Sequence, residues 1–167
     1  MSKPTIEFLI KDIMSDGIQA DGSNYFRRLD VIINYMAIED YCGKNKNGWE
    51  LYSKYETKCK RNVEKSKARF ISLIKSFEEN GCQTKKYRLK ISMKKGALKF
   101  LHVRDGAHRL ACAIYFGEKI VYGYVDNNPG KIDVGSKFLL KLKFTEEEIK
   151  LIEEKKEQIF KEMGIKR

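Results

Sequence analysis

The chain has 167 residues, 42 % of them hydrophobic and only two of them proline, which excludes a disordered segment and is typical of a globular domain with a buried core. Its formal net charge of +11 favours anionic partners such as nucleotides, phosphorylated metabolites, nucleic acid or an acidic membrane face. No apolar run approaches the roughly 18 residues of a membrane span, and Met1–Thr5 lacks the start of a secretory signal, so we expect a cytoplasmic protein without a membrane partner.

The first predicted elements are three helices. Apolar residues at helical spacing predict a helix over residues 5–15, ended by Asp16-Gly17. Ser23 is suited to cap a second helix that runs to about Tyr41. After a polar loop, a third helix is predicted from Trp49 to about Arg61.

A fourth helix and a hairpin follow. The helix is predicted over residues 65–80, with its apolar side chains on one side and Gly81 as its C-terminal stop. Beyond Gly81 the period changes from helical to alternating, which predicts a strand from Tyr87 to Met93. Lys94-Lys95-Gly96 is typical of a hairpin turn, and residues 98–103 are the predicted return strand.

The last elements complete one predicted α/β domain. Asp105 is the expected N-cap of a helix from Ala107 to Phe116, and a further strand is predicted over residues 119–125. Thr145-Glu146-Glu147-Glu148 is a capping box that opens a C-terminal helix to about Met163. No internal repeat or break in composition divides the chain, so residues 1–167 are predicted to form a single domain.

The cysteines and histidines give no indication of a structural metal. The four cysteines are scattered with no CxxC pair, and the chain has only two histidines. None of the usual zinc-ligand spacings occurs. In a protein without an export signal we expect the cysteines to stay reduced.

The strand–turn–helix segment at residues 98–116 is the strongest candidate for a ligand site. The first backbone N–H groups of a helix that follows a strand directly are unpaired, and with the helix dipole they bind anions. Gly106 lets a ligand approach the backbone, Arg109 can offer two parallel donors to a phosphate, and His108 can exchange a proton near neutral pH. Cations in a first helical turn oppose the dipole unless an anion is present, which favours a functional interpretation of this pair. For Asp105 the alternative to a functional role is that it only caps the helix.

The same residues carry a resemblance to a known family. Residues 105–113, Asp-Gly-Ala-His-Arg-Leu-Ala-Cys-Ala, resemble the DGxHRxxA signature of the ParB/sulfiredoxin superfamily. Residues 68–81 resemble the helix that precedes the family's hairpin, and the strands follow in order over roughly residues 55–126. The resemblance implies a small mixed sheet with surrounding helices that binds nucleotide phosphates through Gly106, Ala107, His108 and Arg109.

This resemblance also suggests how the domain is organised. Residues 62–126 correspond to the ParB/sulfiredoxin-like core. Residues 5–61 are then a helical extension, and residues 127–167 add a loop and the C-terminal helix. The extension is a candidate for dimerisation or for closure over a substrate, so a homo-oligomer is one expectation.

Members of the superfamily differ in activity, and departures from their motifs discriminate between them. Sulfiredoxins carry a catalytic Cys just before the His-Arg pair, where this chain has Ala107, and Cys112 lies more than a turn later. ParB-type partition proteins have a Glu-Arg-Arg version of the motif and a helix-turn-helix domain after it, whereas the roughly forty residues after Val125 predict only a single helix here. The histidine-bearing form is similar to the free serine kinase branch. It predicts a nucleotide-dependent phosphotransferase, a kinase acting on a small hydroxylated metabolite such as an amino acid or sugar.

Such a kinase needs a base for the acceptor hydroxyl and cations for the transferring phosphoryl group. Asp105 is the candidate that orients His108 or holds Mg²⁺. Glu56 lies roughly where such kinases have an acidic residue, and Arg61 and Arg69 are candidates for further phosphate contacts. ATP or ADP is the expected donor, with CTP as the alternative.

Two other functions compete with this one. The net charge of +11 also suits a ParB-like nucleic-acid-binding or nuclease-like module, although no strand interleaves basic and aromatic residues. A third hypothesis is a family member that senses a nucleotide or braces a partner without catalysis.

Overall fold

The structure, a computed structural model, describes residues 3–15, 17–18, 24–94, 100–126 and 133–165. Within these ranges it has a mixed α+β architecture with seven helices and a four-stranded mixed sheet. The predicted fold class is therefore confirmed. None of the helices in these ranges is long and apolar enough to cross a bilayer.

The main sheet contains both antiparallel and parallel pairs. Its strands are β1 (Ile6–Leu9), β4 (Leu89–Lys94), β5 (Phe100–Asp105) and β6 (Ile120–Asp126), in the order β1-β6-β4-β5. β4 pairs antiparallel with β5, as the predicted hairpin requires, and parallel with β6. The predicted turn at Lys95-Gly96 lies outside the described ranges. A separate two-stranded ladder joins β2 (Gly17–Ile18) and β3 (Asn24–Tyr25).

The helices with the strongest end signals match their predictions most closely. The seven are α1 (Ile10–Met14), α2 (Leu29–Tyr41), α3 (Gly48–Lys58), α4 (Val63–Asn80), α5 (Ala107–Tyr115), α6 (Ser136–Lys141) and α7 (Glu146–Met163). α4 is capped by the Asn62 side chain and ends at Gly81, and α7 opens with the predicted capping box. The sequence prediction missed α6, because six residues are too few for a periodic pattern to emerge.

The N-terminal segment differs most from its prediction. One helix over residues 5–15 is wrong, because residues 6–9 form the edge strand β1 against β6 and the helix begins only at Ile10. The second helix begins at Leu29 rather than after Ser23, since residues 24–25 belong to β3; Ser23 itself lies outside the described ranges. Residues 5–61 are therefore not a purely helical extension, since they contribute a strand to the main sheet.

One hydrophobic core lies between the sheet and the helices. Leu89, Ile91, Val103 and Val121 point from the sheet into it and are completely or almost completely buried. α2 runs through this core and packs against α3, α5 and α7. This packing fixes the start of α5, at the end of β5, against α2, α3 and α4.

Candidate functional site

A pocket of about 850 Å³ opens where α5 begins, with walls from α2, α3 and α4. All eight residues predicted for the site line this one pocket: Glu56, Arg61, Arg69, Asp105, Gly106, Ala107, His108 and Arg109. Glu56 comes from α3 and Arg69 from α4, so the fold brings together groups that are far apart in the sequence. Their individual roles remain predictions.

The start of α5 is built around Gly106. This residue is the N-cap, with φ 110° and ψ 25° in the left-handed region, and as a glycine it has no side chain to cap the helix. The prediction of Asp105 as N-cap is wrong, because Asp105 is the last residue of β5 and its side chain is 75 % exposed. Within the described residues no side chain accepts from the first N–H groups of α5, and Gly106, Ala107 and His108 line the pocket, which is the arrangement that suits an anion.

Arg109 connects two elements of the pocket wall. Its Nη1 donates hydrogen bonds to the backbone oxygens of Tyr87, at 2.8 Å, and Arg88, at 2.6 Å. Its Nη2 lies 3.7 Å from a carboxylate oxygen of Asp105. The guanidinium thus ties the approach to β4 to the first turn of α5. The predicted two-donor contact with a phosphate would have to use the remaining Nη2 and Nε groups.

His108 lies in a partly apolar niche of the pocket. Its Nε2 shares a 3.0 Å hydrogen bond with the Tyr52 hydroxyl and lies 3.8 Å from Oε1 of Glu56. The Phe70 ring packs edge-on at 4.6 Å between ring centroids. Burial lowers the pKa of His108 below its ordinary value, with Glu56 acting in the opposite direction. The imidazole is therefore neutral near pH 7, which is the state that can accept a proton.

Glu56 and Arg61 form a pair at the side of this niche. The Glu56 side chain is only 2 % exposed, and its Oε2 accepts a 2.8 Å hydrogen bond from Nη1 of the half-exposed Arg61. The same contact raises the pKa of the Arg61 guanidinium. Arg61 therefore compensates a buried carboxylate. Its predicted role as a phosphate ligand would be secondary to that pairing.

Arg69 is the cation best placed to meet an incoming anion. It is exposed on α4 and lines the pocket. Within the part of the chain that the structure describes, it makes no hydrogen bond or ion pair. Unlike Arg61 and Arg109, it would break no hydrogen bond or ion pair with the described residues on binding a ligand.

The sequence prediction missed the floor of the pocket. Arg28 grips Asp30 through two hydrogen bonds, Nε to Oδ1 at 2.9 Å and Nη2 to Oδ2 at 2.7 Å, and also donates to the backbone oxygen of Val103. Asn34 lies one turn beyond Asp30 on α2, so both residues are on the same face. A signal for them exists in the sequence, since they interrupt the apolar run of α2 at a spacing of four.

Charge favours an anionic ligand at the mouth of the pocket. Five arginines and three carboxylates line the pocket as a whole, so its lining has a net positive charge. In the described ranges no three His, Cys, Asp or Glu side chains converge on a point that could hold a metal. Mg²⁺ at Asp105 thus stays a prediction that needs ligand phosphates to complete the coordination.

In comparisons with family models, curated proteins and solved structures, nothing matches this chain.

Proposed function

We propose that the protein is a nucleotide-dependent phosphotransferase acting on a small hydroxylated metabolite, with ATP or ADP as the donor. The observation that supports this most is the uncapped start of α5 opening into an arginine-rich pocket. About 850 Å³ falls within the range of small-ligand sites. The N–H groups of α5 and Arg69 would bind the phosphates. The resemblance to the ParB/sulfiredoxin superfamily, and within it to the free serine kinase branch, points in the same direction.

In this proposal His108 handles the proton of the acceptor hydroxyl. A neutral imidazole takes that proton as the phosphoryl group is transferred. Glu56, with Oε1 at 3.8 Å from Nε2, stabilises the resulting imidazolium. The cations at the mouth offset the charge on the phosphoryl oxygens. Asp105 would hold Mg²⁺, which when bound neutralises part of the phosphate charge.

Arg69 allows a direct test of nucleotide binding. We expect Arg69→Ala to weaken the binding of ADP by about tenfold, because a charge-assisted hydrogen bond to phosphate is lost. Lys75→Ala is the matched control, since Lys75 is exposed on the same helix and does not line the pocket. Isothermal titration with ADP and ATP measures both variants. Equal affinities for the two variants, or no binding by the unmodified protein, would contradict the proposal.

A second candidate function, single-stranded nucleic acid binding, has its own observation. Tyr122 and Tyr124 alternate with buried residues along β6 and face away from the core. Lys85 Nζ lies 5.7 Å from the centroid of the Tyr122 ring, and the Arg88 guanidinium lies 4.9 Å from that of Tyr124. Basic and aromatic groups thus interleave across neighbouring segments, although no single strand interleaves them. Such surfaces stack bases and contact phosphates.

Salt dependence tests this second candidate. If the tyrosine face binds single-stranded DNA through about three phosphates, the dissociation constant for a labelled oligo-dT should rise about tenfold or more between 50 and 200 mM salt. Lys85→Ala should weaken that binding. Lys150→Ala, which removes an exposed charge on α7, should not. Anisotropy measurements that detect no binding at 50 mM salt would exclude this function.

A further inference from the structure

Asn34 is an unusual residue in the core of this protein. It lies in the middle of α2, is 3 % exposed and lines the pocket. Within the described ranges its side-chain amide makes no hydrogen bond. The nitrogen and oxygen of this amide are nevertheless not completely shielded from solvent. Because the rest of the residue is buried, the small exposed part of the amide faces the pocket.

An amide in this position is costly for the folded protein. It carries two donors and one acceptor, and buried polar groups in native structures are nearly always paired. The surrounding positions of α2, from Val31 to Ile33 and from Met36 to Ile38, are buried and apolar apart from the partly exposed Tyr35. A leucine at position 34 would suit these surroundings better. Because the amide has no partner among the described residues, only water or a polar group of a ligand in the pocket can complete its hydrogen bonding.

The neighbours of Asn34 restrict the chemistry of that group. Asp30, one turn earlier on the same face, already has both oxygens paired with Arg28. The Arg28 cation and the Asp30 anion compensate each other, so this pair offers no net charge to a carboxylate or an ammonium group. Each Asp30 oxygen retains capacity for a further hydrogen bond. The floor thus offers amide donors, an amide acceptor and carboxylate acceptors to an uncharged partner.

The two ends of the pocket therefore differ. The mouth has, for an anion, the N–H groups at the start of α5 and Arg69, neither of which has a side-chain partner within the described ranges. The floor has neutral hydrogen-bonding capacity at Asn34 and Asp30. A molecule with several hydroxyl groups and no charge of its own fits the floor, whereas a free amino acid would place two charges where none is compensated.

We propose that Asn34 and Asp30 form a subsite for a sugar or related polyol, whose hydroxyl groups complete the hydrogen bonding of the Asn34 amide. Only the role of this subsite as the place where the phosphoryl acceptor binds rests on the proposed phosphotransferase function. The subsite could bind a polyol whether or not the protein has that activity. The inference is therefore tested on the full protein in the absence of nucleotide.

The first test uses the unliganded protein. Asn34→Leu keeps the branched shape and the number of heavy atoms of the side chain and removes the unpaired amide, so we expect the melting temperature to rise by about 2–8 °C. Asn80→Leu, at an exposed position near the end of α4, should leave it within about 1 °C. A fall in the melting temperature of Asn34→Leu would overturn the inference, since it would mean that the amide is satisfied within the fold.

The second test measures binding directly. Saturation-transfer NMR with D-ribose, D-glucose, myo-inositol and L-serine should detect at least one sugar or polyol but not L-serine. Asn34→Leu should weaken the detected ligand by about tenfold or more while leaving ADP binding unchanged. Binding of L-serine alone, equal sugar binding by Asn34→Leu, or no binding at millimolar concentrations would overturn the subsite. Absence of ADP binding together with Asn34-dependent sugar binding would remove the phosphotransferase proposal and keep the subsite.

Discussion

Replacing Asp30 with alanine is expected to destabilise the protein by about 3–5 kcal/mol. The substitution removes both carboxylate oxygens that accept hydrogen bonds from the Arg28 guanidinium, at 2.9 and 2.7 Å. Arg28 is only 5 % exposed, so its charge would stay in the interior without the carboxylate that now accepts two of its hydrogen bonds. Stabilities of natural domains are about 5–15 kcal/mol, so the loss would be a large share of the total. Urea unfolding followed by circular dichroism measures it.

Two further variants test whether the loss of stability comes from breaking the buried Arg28–Asp30 ion pair. Arg28→Met combined with Asp30→Leu should be less destabilising than Asp30→Ala alone, because replacing a buried ion pair with apolar side chains of similar volume is often nearly neutral. Glu154→Ala removes a carboxylate that is 61 % exposed and should cost less than about 0.5 kcal/mol. If Asp30→Ala behaved like Glu154→Ala, the buried pair would not be a stabilising element of the pocket floor.

Replacing Gly106 with alanine is expected to cost about 2–4 kcal/mol and to impair ligand binding at the start of α5. Two effects add up. A φ of 110° is strained for any residue with a Cβ, and that Cβ would lie 2.8 Å from Cγ of the fully buried Leu89. The new side chain would also lie 3.4 Å from Nη2 of Arg109, and so would disturb the guanidinium that braces the pocket wall.

Gly117 provides a matched control for this prediction. It also has a left-handed φ, 78°, but a Cβ there would meet no atom within 4 Å. Gly117→Ala should therefore show the backbone strain alone, at about 1 kcal/mol. The difference between the two variants in urea unfolding measures the close approach of Leu89. If Gly106→Ala and Gly117→Ala lost the same free energy of unfolding, the contact between the new Cβ and Leu89 would contribute nothing to the loss.

Much of the fold could be predicted from local signals. Gly81 at the C-terminal end of α4 and the capping box at Thr145 are backbone and side-chain preferences that act within a few residues. The change from helical to alternating period after Gly81 is local too, and it identified the β4–β5 hairpin. Residues 6–9 have no such signal, because a short apolar segment fits both periods, and only pairing with β6 makes them a strand.

For the candidate site, too, some features could be predicted from the sequence and others could not. The Asp-Gly-Ala-His-Arg motif was enough to predict an anion-binding helix start, and Glu56, Arg61 and Arg69 were predicted as its companions. All of them line the pocket. Which of these groups is available to a ligand could not be predicted. Arg109 is bound to the backbone before β4, and Arg61 is paired with Glu56.

The sequence by itself determined the α+β class, the C-terminal end of α4, both ends of α7 and a turn before α5, because short-range sterics and capping decide these features. Only the tertiary structure decided that Arg28 and Asp30 compensate each other, that buried Asn34 has no hydrogen-bond partner among the described residues, and that Tyr122 and Tyr124 lie beside basic side chains from another segment. Burial and charge pairing depend on residues that are distant in sequence. The availability of each polar group to a ligand is therefore a property of the folded packing.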